Sequence, residues 1–107
     1  MIRFLIKQQF AWAEKCFDRD GEIKKPFERY FSSFINQVLK GQKTITLRTP
    51  NTLTGVRSLI YFSNSLDLTR YLIEVHEEGN VVALTFKMNA NAKSMHAARN
   101  VIARYEK

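Results

Sequence analysis

The chain has 107 residues, of which 45% are hydrophobic, and its 17 Lys and Arg against ten Asp and Glu give a formal net charge of +7. This length has room for one hydrophobic core, so we expect a single domain over residues 1–107. Eight Phe, four Tyr and one Trp exclude a disordered, aromatic-poor chain. With Cys16 as the only cysteine, an intramolecular disulfide and a multi-thiolate zinc site are excluded. No apolar run reaches the roughly 18 residues that a membrane span needs. We therefore expect a cytoplasmic protein without membrane segment, metal or cofactor.

The positive charge is concentrated in two stretches that contain no acidic residue. These stretches run from Arg29 to Leu66 and from Gly79 to Tyr105. Their basic residues are Arg29, Lys40, Lys43, Arg48 and Arg57 in the first, and Lys87, Lys93, Arg99 and Arg104 in the second. Uncompensated charge of this kind indicates an anionic partner, for which RNA is the leading candidate. A basic but merely solvated surface is the alternative.

Helical periodicity dominates the first 40 residues after a short alternating start. Alternation over residues 2–6 predicts an N-terminal strand, although a helix running into the next segment also fits. Residues 8–18 carry apolar side chains at helical spacing and predict a short helix. The clearest helix covers residues 26–40, with Pro26 in its first turn and Gly41 at its end. Its apolar stripe comprises Phe27, Tyr30, Phe31, Phe34, Ile35, Val38 and Leu39, which we expect to face the core.

Beyond Gly41 the period changes from helical to alternating. Residues 44–49 predict a strand that stops at Pro50, and the apolar run 59–62 predicts a second. Residues 71–78 and 81–88 predict a β-hairpin around Glu78-Gly79-Asn80. A helix from about Lys93 closes the chain, with Ala98, Val101, Ile102 and Tyr105 as its apolar stripe. The expected fold class is α+β, with an N-terminal strand and two helices packed on a small antiparallel sheet and a C-terminal helix.

The register of the hairpin follows from the length of its loop. If Glu78 and Gly79 form a two-residue loop, Glu77 pairs with Asn80 and Arg70 lies opposite Lys87. Directly opposed like charges destabilise a sheet, so this pair predicts that a bound anion or an acidic segment of a partner protein neutralises them. A longer loop would separate the two charges and leave each as a solvated residue.

Most catalytic patterns are missing from the sequence. His76 and His96 lack any matching ligand spacing for zinc, and the four glycines are scattered singly, which excludes a phosphate-binding glycine loop. Cys16 on an apolar face is expected in the core. What remains is a basic surface interleaved with aromatic rings, suited to phosphates and unstacked bases, at Arg57, Tyr61, Arg70, Tyr71, Phe86 and Lys87. Tyr71 and Phe86 also fit the hairpin core.

The run from Leu53 to Lys93, LTGVRSLIYFSNSLDLTRYLIEVHEEGNVVALTFK followed by MNANAK, resembles the RelE/ParE superfamily of toxins, particularly its HigB-like branch. The resemblance implies a RelE-like fold and a ribosome-dependent, metal-independent mRNA endonuclease paired with a cognate antitoxin. Basic side chains would then stabilise the charge that develops on the scissile phosphate. The implied catalytic residues are Arg70, Lys87 and His96, the last as the nearest substitute for a tyrosine of the family. Nucleic-acid contacts are expected from Arg48, Arg57, Lys93, Arg99 and Arg104, with Arg57 on the first strand of the resembling sheet.

Three other functions fit the same charge pattern. A gyrase-directed ParE-like relative would share the fold without needing a phosphate site. A nucleic-acid-binding accessory protein of a phage or mobile element would need the charge but no catalytic residues. A small adaptor would present its basic face to an acidic protein.

Overall fold

The computed structural model describes residues 8–18 and 22–105. This part of the chain contains three α-helices and a three-stranded antiparallel sheet. The elements in chain order are α1 (Glu28–Leu39), β1 (Thr44–Pro50), α2 (Leu53–Ser65), β2 (Leu72–Glu78), β3 (Val81–Lys87) and α3 (Lys93–Tyr105). Short 3-10 helices cover Ala11–Cys16, Lys25–Phe27 and Thr69–Tyr71. The predicted α+β class is confirmed. The strand predicted over residues 2–6 lies outside the described residues.

Helix α1 lies within the predicted range 26–40, beginning at Glu28 and ending at Leu39. Pro26 lies in the 3-10 turn that leads into it. At its other end Gly41 has φ +76° and donates its N–H to the carbonyl of Val38 at 2.9 Å, while Gln42 N–H reaches Gln37 O at 3.1 Å. These two bonds form a Schellman motif, which needs a left-handed residue and so favours glycine. The predicted stripe is buried at Phe27, Tyr30, Phe31, Phe34 and Val38, half-buried at Ile35 and exposed at Leu39.

An aromatic cluster fills the space between α1 and the N-terminal segment. The Phe31 ring meets Phe10 at 5.2 Å and 84°, and Phe17 at 5.4 Å and 89°. Both are edge-to-face contacts, the arrangement that aromatic quadrupoles prefer. Cys16 is fully buried beside this cluster, as predicted, and burial raises the pKa of its thiol.

The segment 8–18 is less regular than the predicted helix. Residues 8 and 9 are α-helical, and after a bend at Phe10 the 3-10 helix Ala11–Cys16 follows, which is interrupted by Ala13 at φ −101° and ψ 41°. Phe17 then pairs with Ile23 in an isolated antiparallel bridge. The bend at Ala13 lets Phe10 and Phe17 stack on each other, with ring centroids 5.8 Å apart. Packing of large rings thus overrides the regular helical path.

The strands are ordered β1-β3-β2, and every pairing is antiparallel. The register places Ile45, Leu47, Leu84 and Phe86 on one face, where all four are buried. Thr46 and Thr85 lie opposite each other on the other face and share a hydrogen bond of 3.1 Å between their hydroxyls. Helices α1 and α2 both contact β1. The sheet therefore has one face in the core and one face turned outward.

The outer edge of β1 is closed by one side chain of α1. The Gln37 amide donates Nε2–H to the carbonyl of Thr46 at 2.8 Å, and Oε1 accepts from the Thr46 N–H at 2.9 Å. The amide therefore replaces both bonds that a neighbouring strand would supply at this residue. An edge strand covered in this way no longer offers its backbone for pairing there.

Residues 59–62, predicted as a strand, belong to helix α2 instead. The hydroxyl of Thr52 caps this helix by accepting from Gly55 N–H at 3.0 Å. Leu59 and Phe62 are buried at helical spacing, and the hydroxyl of Ser63, which is also buried, donates to the carbonyl of Leu59 at 2.8 Å. The N-cap and this spacing outweigh the β propensity of the apolar run.

The hairpin is confirmed, but its register is not the predicted one. Gly79 and Asn80 form the loop, because Glu78 pairs with Val81. Gly79 takes φ +63°, which glycine adopts without cost. A bulge between Leu72 and Glu74 then shifts the ladder once more. Arg70 consequently lies outside β2, in the 3-10 turn Thr69–Tyr71, and does not oppose Lys87. The partner of Lys87 in β1 is Thr44.

Candidate nucleic-acid interface

A cavity of about 370 Å³ combines three cations with two aromatic rings. We call it the basic-aromatic pocket, and its lining residues are Lys15, Lys24, Phe27, Arg57, Ser58 and Tyr61. Three separate segments build it: the 3-10 helix Ala11–Cys16, the residues leading into α1, and α2. Arg57 and Tyr61 come from the same face of α2, since side chains four residues apart in a helix are neighbours. The pocket therefore depends on α2 being a helix.

The Tyr61 ring is held in place by a buried aromatic ring on one of its faces. It stacks on Phe27 with centroids 5.6 Å apart and planes at 8°. Phe27 is buried and in turn lies 6.2 Å from Phe62 in the core. Tyr61 itself remains 45% exposed. An aromatic ring fixed by the core and open to solvent is a ready surface for a base or another planar group.

A second cavity of about 240 Å³ shares Lys15 with this pocket. Its lining residues are Trp12, Ala13, Lys15, Asn64 and Ser65. The Lys93 ammonium lies 4.8 Å from the Trp12 ring centroid, and the indole N–H donates to Gln9 O at 2.8 Å. This cation–π contact fixes both groups. None of the described lining residues of the two cavities is acidic, so their lining contributes positive charge only.

A larger and more polar groove of about 820 Å³ lies between α1 and β1. Arg29, Lys40 and Arg48 line it together with one acid, Glu28. Its remaining lining residues are amides and hydroxyls, at Ser32, Ser33, Asn36, Gln37, Gln42 and Thr46. We call it the α1–β1 groove. It offers cations and neutral hydrogen-bonding groups but no aromatic ring.

The predicted nucleic-acid-binding residues do not form one site but lie on different parts of the surface. Arg57 lines the basic-aromatic pocket, although from a helix rather than the predicted strand, and Lys93 contacts Trp12 beside it. Arg48 lines the α1–β1 groove. Arg99 is exposed on α3. The side chain of Arg104 lies outside the described part of the structure.

The predicted catalytic residues line none of these three cavities. Arg70 donates from Nε to the Asp67 carboxylate at 3.1 Å, so its charge is partly engaged. Lys87 is exposed at the end of β3, and His96 is exposed on α3. Their part in catalysis stays a prediction.

Sequence reasoning missed Trp12, Lys15 and Lys24 as site residues. The helical spacing of Arg57 and Tyr61 was the available signal for the pocket.

Within residues 8–18 and 22–105 no group of three or more His, Cys, Asp or Glu side chains is placed to hold a metal ion. None of the described helices has the length and hydrophobicity to cross a bilayer. Comparisons with protein families, with curated protein sequences and with solved structures found no significant match to this chain. The site itself therefore has to carry any functional assignment.

Proposed function

We propose that this domain binds single-stranded RNA through the basic-aromatic pocket. The observation that carries the proposal is the exposed Tyr61 ring, stacked on buried Phe27 and surrounded by Lys15, Lys24 and Arg57. Single-stranded RNA supplies the two matching groups, a phosphate backbone for the cations and an unpaired base for the ring. The net charge of +7 adds long-range attraction to a polyanion.

Aromatic stacking separates a single strand from a duplex as the ligand. In a duplex the base faces are covered by their neighbours, so an exposed ring gains nothing by stacking. A single strand exposes those faces, and each stacked base contributes about 1 to 3 kcal/mol. The three cations of the pocket belong to three different segments of the chain. This arrangement suits several successive phosphates of an RNA strand that runs alongside the Tyr61 ring better than it suits one isolated phosphate.

Replacing Tyr61 by alanine is expected to weaken binding of a fluorescein-labelled single-stranded RNA about tenfold or more, because the stacked base loses its ring. Tyr61→Phe should bind nearly as the native protein does. The matched control is Ile60→Ala, since Ile60 is the next residue of α2 and is similarly exposed, at 46% against 45%. Fluorescence anisotropy gives the affinities. Equal affinity of the Tyr61→Ala and Ile60→Ala variants would refute the assignment of the pocket.

Salt dependence checks the cationic half of the pocket. Each phosphate contact that is lost should reduce the slope of log affinity against log salt by about 0.7 for a single strand. The Lys24→Gln, Arg57→Gln double variant should therefore show a visibly shallower slope, together with weaker binding. The same titration with single-stranded DNA shows whether the 2′-hydroxyl matters.

Cleavage of ribosome-bound mRNA, as the toxin of a toxin–antitoxin pair, is the more specific proposal. It is supported by the resemblance of Leu53–Lys93 to the HigB-like toxins and by the exposure of Lys87 and His96. An exposed lysine and imidazole are groups that stabilise a phosphorane and move protons without a metal. The helical state of residues 53–65 and the Asp67 contact of Arg70 reduce that support, which is why RNA binding is the broader conclusion.

Inducible expression tests the toxin proposal directly. Growth should stop, and mapping of mRNA 5′ ends should show new ends within translated regions. Lys87→Ala and His96→Ala should each remove most of the cleavage, since charge stabilisation of this kind contributes roughly 10²- to 10³-fold to rate. Lys43→Ala, which also removes an exposed lysine, is the control. Growth arrest without new mRNA ends would favour a gyrase or other protein target instead.

A further inference from the structure

Strand β2 is exposed along nearly its whole length. Only Leu72 is half-buried, and the six residues from Ile73 to Glu78 are all exposed. Ile73 and Val75 are 59% and 60% exposed, although large apolar side chains of a strand are ordinarily covered. Among residues 8–18 and 22–105, β2 is also an end strand of the sheet and pairs with β3 alone. A strand with apolar side chains and an open edge is a template for another strand.

The hydrogen-bond pattern shows which backbone groups the open edge presents. Thr46 directs its N–H and C=O to Gln37, so the opposite residue, Thr85, directs its own groups toward β2 and Glu74. Backbone direction alternates along a strand. His76 and Glu78 therefore bond to β3, whereas Val75 and Glu77 present their N–H and C=O outward. Two residues thus offer free backbone pairs to an incoming strand.

The charge of β2 is opposite to that of the chain. Glu74, Glu77 and Glu78 give this strand three carboxylates, while the protein carries a net charge of +7. An incoming acidic or neutral strand would gain no attraction here, and a nucleic acid would be repelled. A basic strand would pair each carboxylate across the new ladder, which stabilises a sheet. We propose that β2 binds a basic, extended segment of a partner protein, which adds a fourth strand to the sheet.

The register fixes the composition of that segment. In antiparallel addition, which continues the pattern of the sheet and is the more stable ladder, the first residue of the segment faces Glu78. The order is then a Lys or Arg opposite Glu78, another opposite Glu77, any residue opposite His76, an apolar residue opposite Val75, and a third Lys or Arg opposite Glu74. The apolar residue covers Val75, and the three cations pair with the three carboxylates.

A second copy of this chain is a poor occupant of the same edge. Pairing two β2 strands would bring three carboxylates from each copy onto neighbouring strands, and like charges across a ladder are destabilising. A two-fold axis at Val75 would oppose Glu74 to His76 of the other copy, but it would place no Lys or Arg opposite Glu77 or Glu78, of which Glu78 has only His76 of its own strand nearby, at 3.7 Å. A basic segment of another protein places a Lys or Arg opposite each of the three carboxylates.

The test uses a fluorescein-labelled nine-residue peptide that carries this pattern, flanked by two threonines at each end. We expect saturable binding to the full-length protein that weakens with salt. A peptide with glutamates in place of its three lysines should not bind. The Glu74→Lys, Glu77→Lys, Glu78→Lys variant should lose at least about tenfold in affinity for the lysine peptide, since three exposed ion pairs are reversed. Absence of binding, or binding that this variant leaves unchanged, would overturn the proposal.

Glu77→Pro separates strand addition from simple charge attraction. Proline has no N–H, and at a residue that points outward from an edge strand it removes no bond to β3. This variant should keep its melting temperature and its RNA affinity but lose the peptide. Retained peptide binding would exclude addition of a strand at this edge. If native protein is a dimer in sedimentation and Glu77→Pro makes it monomeric, the occupant is a second copy, and the proposal is wrong.

Discussion

Replacing Phe34 by alanine is expected to lower the free energy of unfolding by about 3 to 5 kcal/mol, since the ring is completely buried. The loss combines the transfer of the ring from water with the cavity that it leaves behind. A domain of this size has a total stability of only about 5 to 15 kcal/mol. Urea denaturation followed by circular dichroism measures the change, and a large part of the variant should already be unfolded at 37 °C if the native domain is marginal.

Leu39→Ala is the control for this effect. Leu39 lies on the same predicted stripe of α1 but is 49% exposed, so its truncation should cost under about 1 kcal/mol. The two variants together measure burial rather than helix propensity, because alanine favours a helix at either site. Similar losses at both sites would show that the stripe is not oriented as the structure has it.

Replacing Gly55 by alanine is expected to destabilise the protein by about 1 to 3 kcal/mol. In an ordinary helix this change stabilises by about 0.5 to 1 kcal/mol, because glycine loses more backbone entropy on folding. Here an added Cβ would lie 2.6 Å from the carbonyl oxygen of Pro50 and 2.8 Å from the Thr49 hydroxyl. The carbonyl belongs to the backbone of β1, so α2 or β1 has to move. The Thr49 hydroxyl also shares a buried 2.8 Å hydrogen bond with Tyr30, which this movement would strain.

Thr54→Ala gives the matched comparison, since Thr54 is the preceding, exposed residue of α2. It should be neutral or slightly stabilising. Thermal unfolding of both variants decides the sign. A higher melting temperature for Gly55→Ala would mean that β1 and α2 do not approach each other as closely as the structure shows.

Elements with strong periodicity could be predicted from the sequence. Helix α1 follows from an apolar stripe that repeats over three turns and from glycine at its end. β1 follows from alternation that stops at a proline. These patterns carry enough information because one face of each element is buried and the other is not.

Helix α2 could not be predicted in the same way, and the basic-aromatic pocket could therefore not be predicted either. Residues 59–62 are four consecutive apolar or aromatic residues, which a buried strand and a buried helix share. Ser63 is buried although it is polar, so it interrupts the stripe that would have indicated a helix. Arg57 and Tyr61 are four residues apart, and such side chains are neighbours only when the segment is a helix. Lys15 and Lys24 reach that surface only through tertiary packing, which no local pattern encodes.

The hairpin register depended on a choice that local sequence left open. Glu78-Gly79 and Gly79-Asn80 both fit a two-residue loop, because glycine is accepted at either position of such turns. A one-residue shift moves side chains to the other face. The predicted Arg70 and Lys87 pair was wrong for this reason and because of the additional bulge near Leu72.

The two edges of the sheet differ in how far their backbone groups are covered, and this difference limits how many copies could assemble by strand pairing. The Gln37 amide occupies the backbone of β1 at Thr46, whereas no described side chain covers the edge of β2 in a comparable way. Polymers that grow by strand pairing need two open edges on each unit, one to receive and one to offer. With one blocked edge, two copies that met through β2 would form a closed pair, and the chain of pairings would stop there. The Gln37 contact at Thr46 thus disfavours fibre growth by strand pairing, although β2 stays exposed.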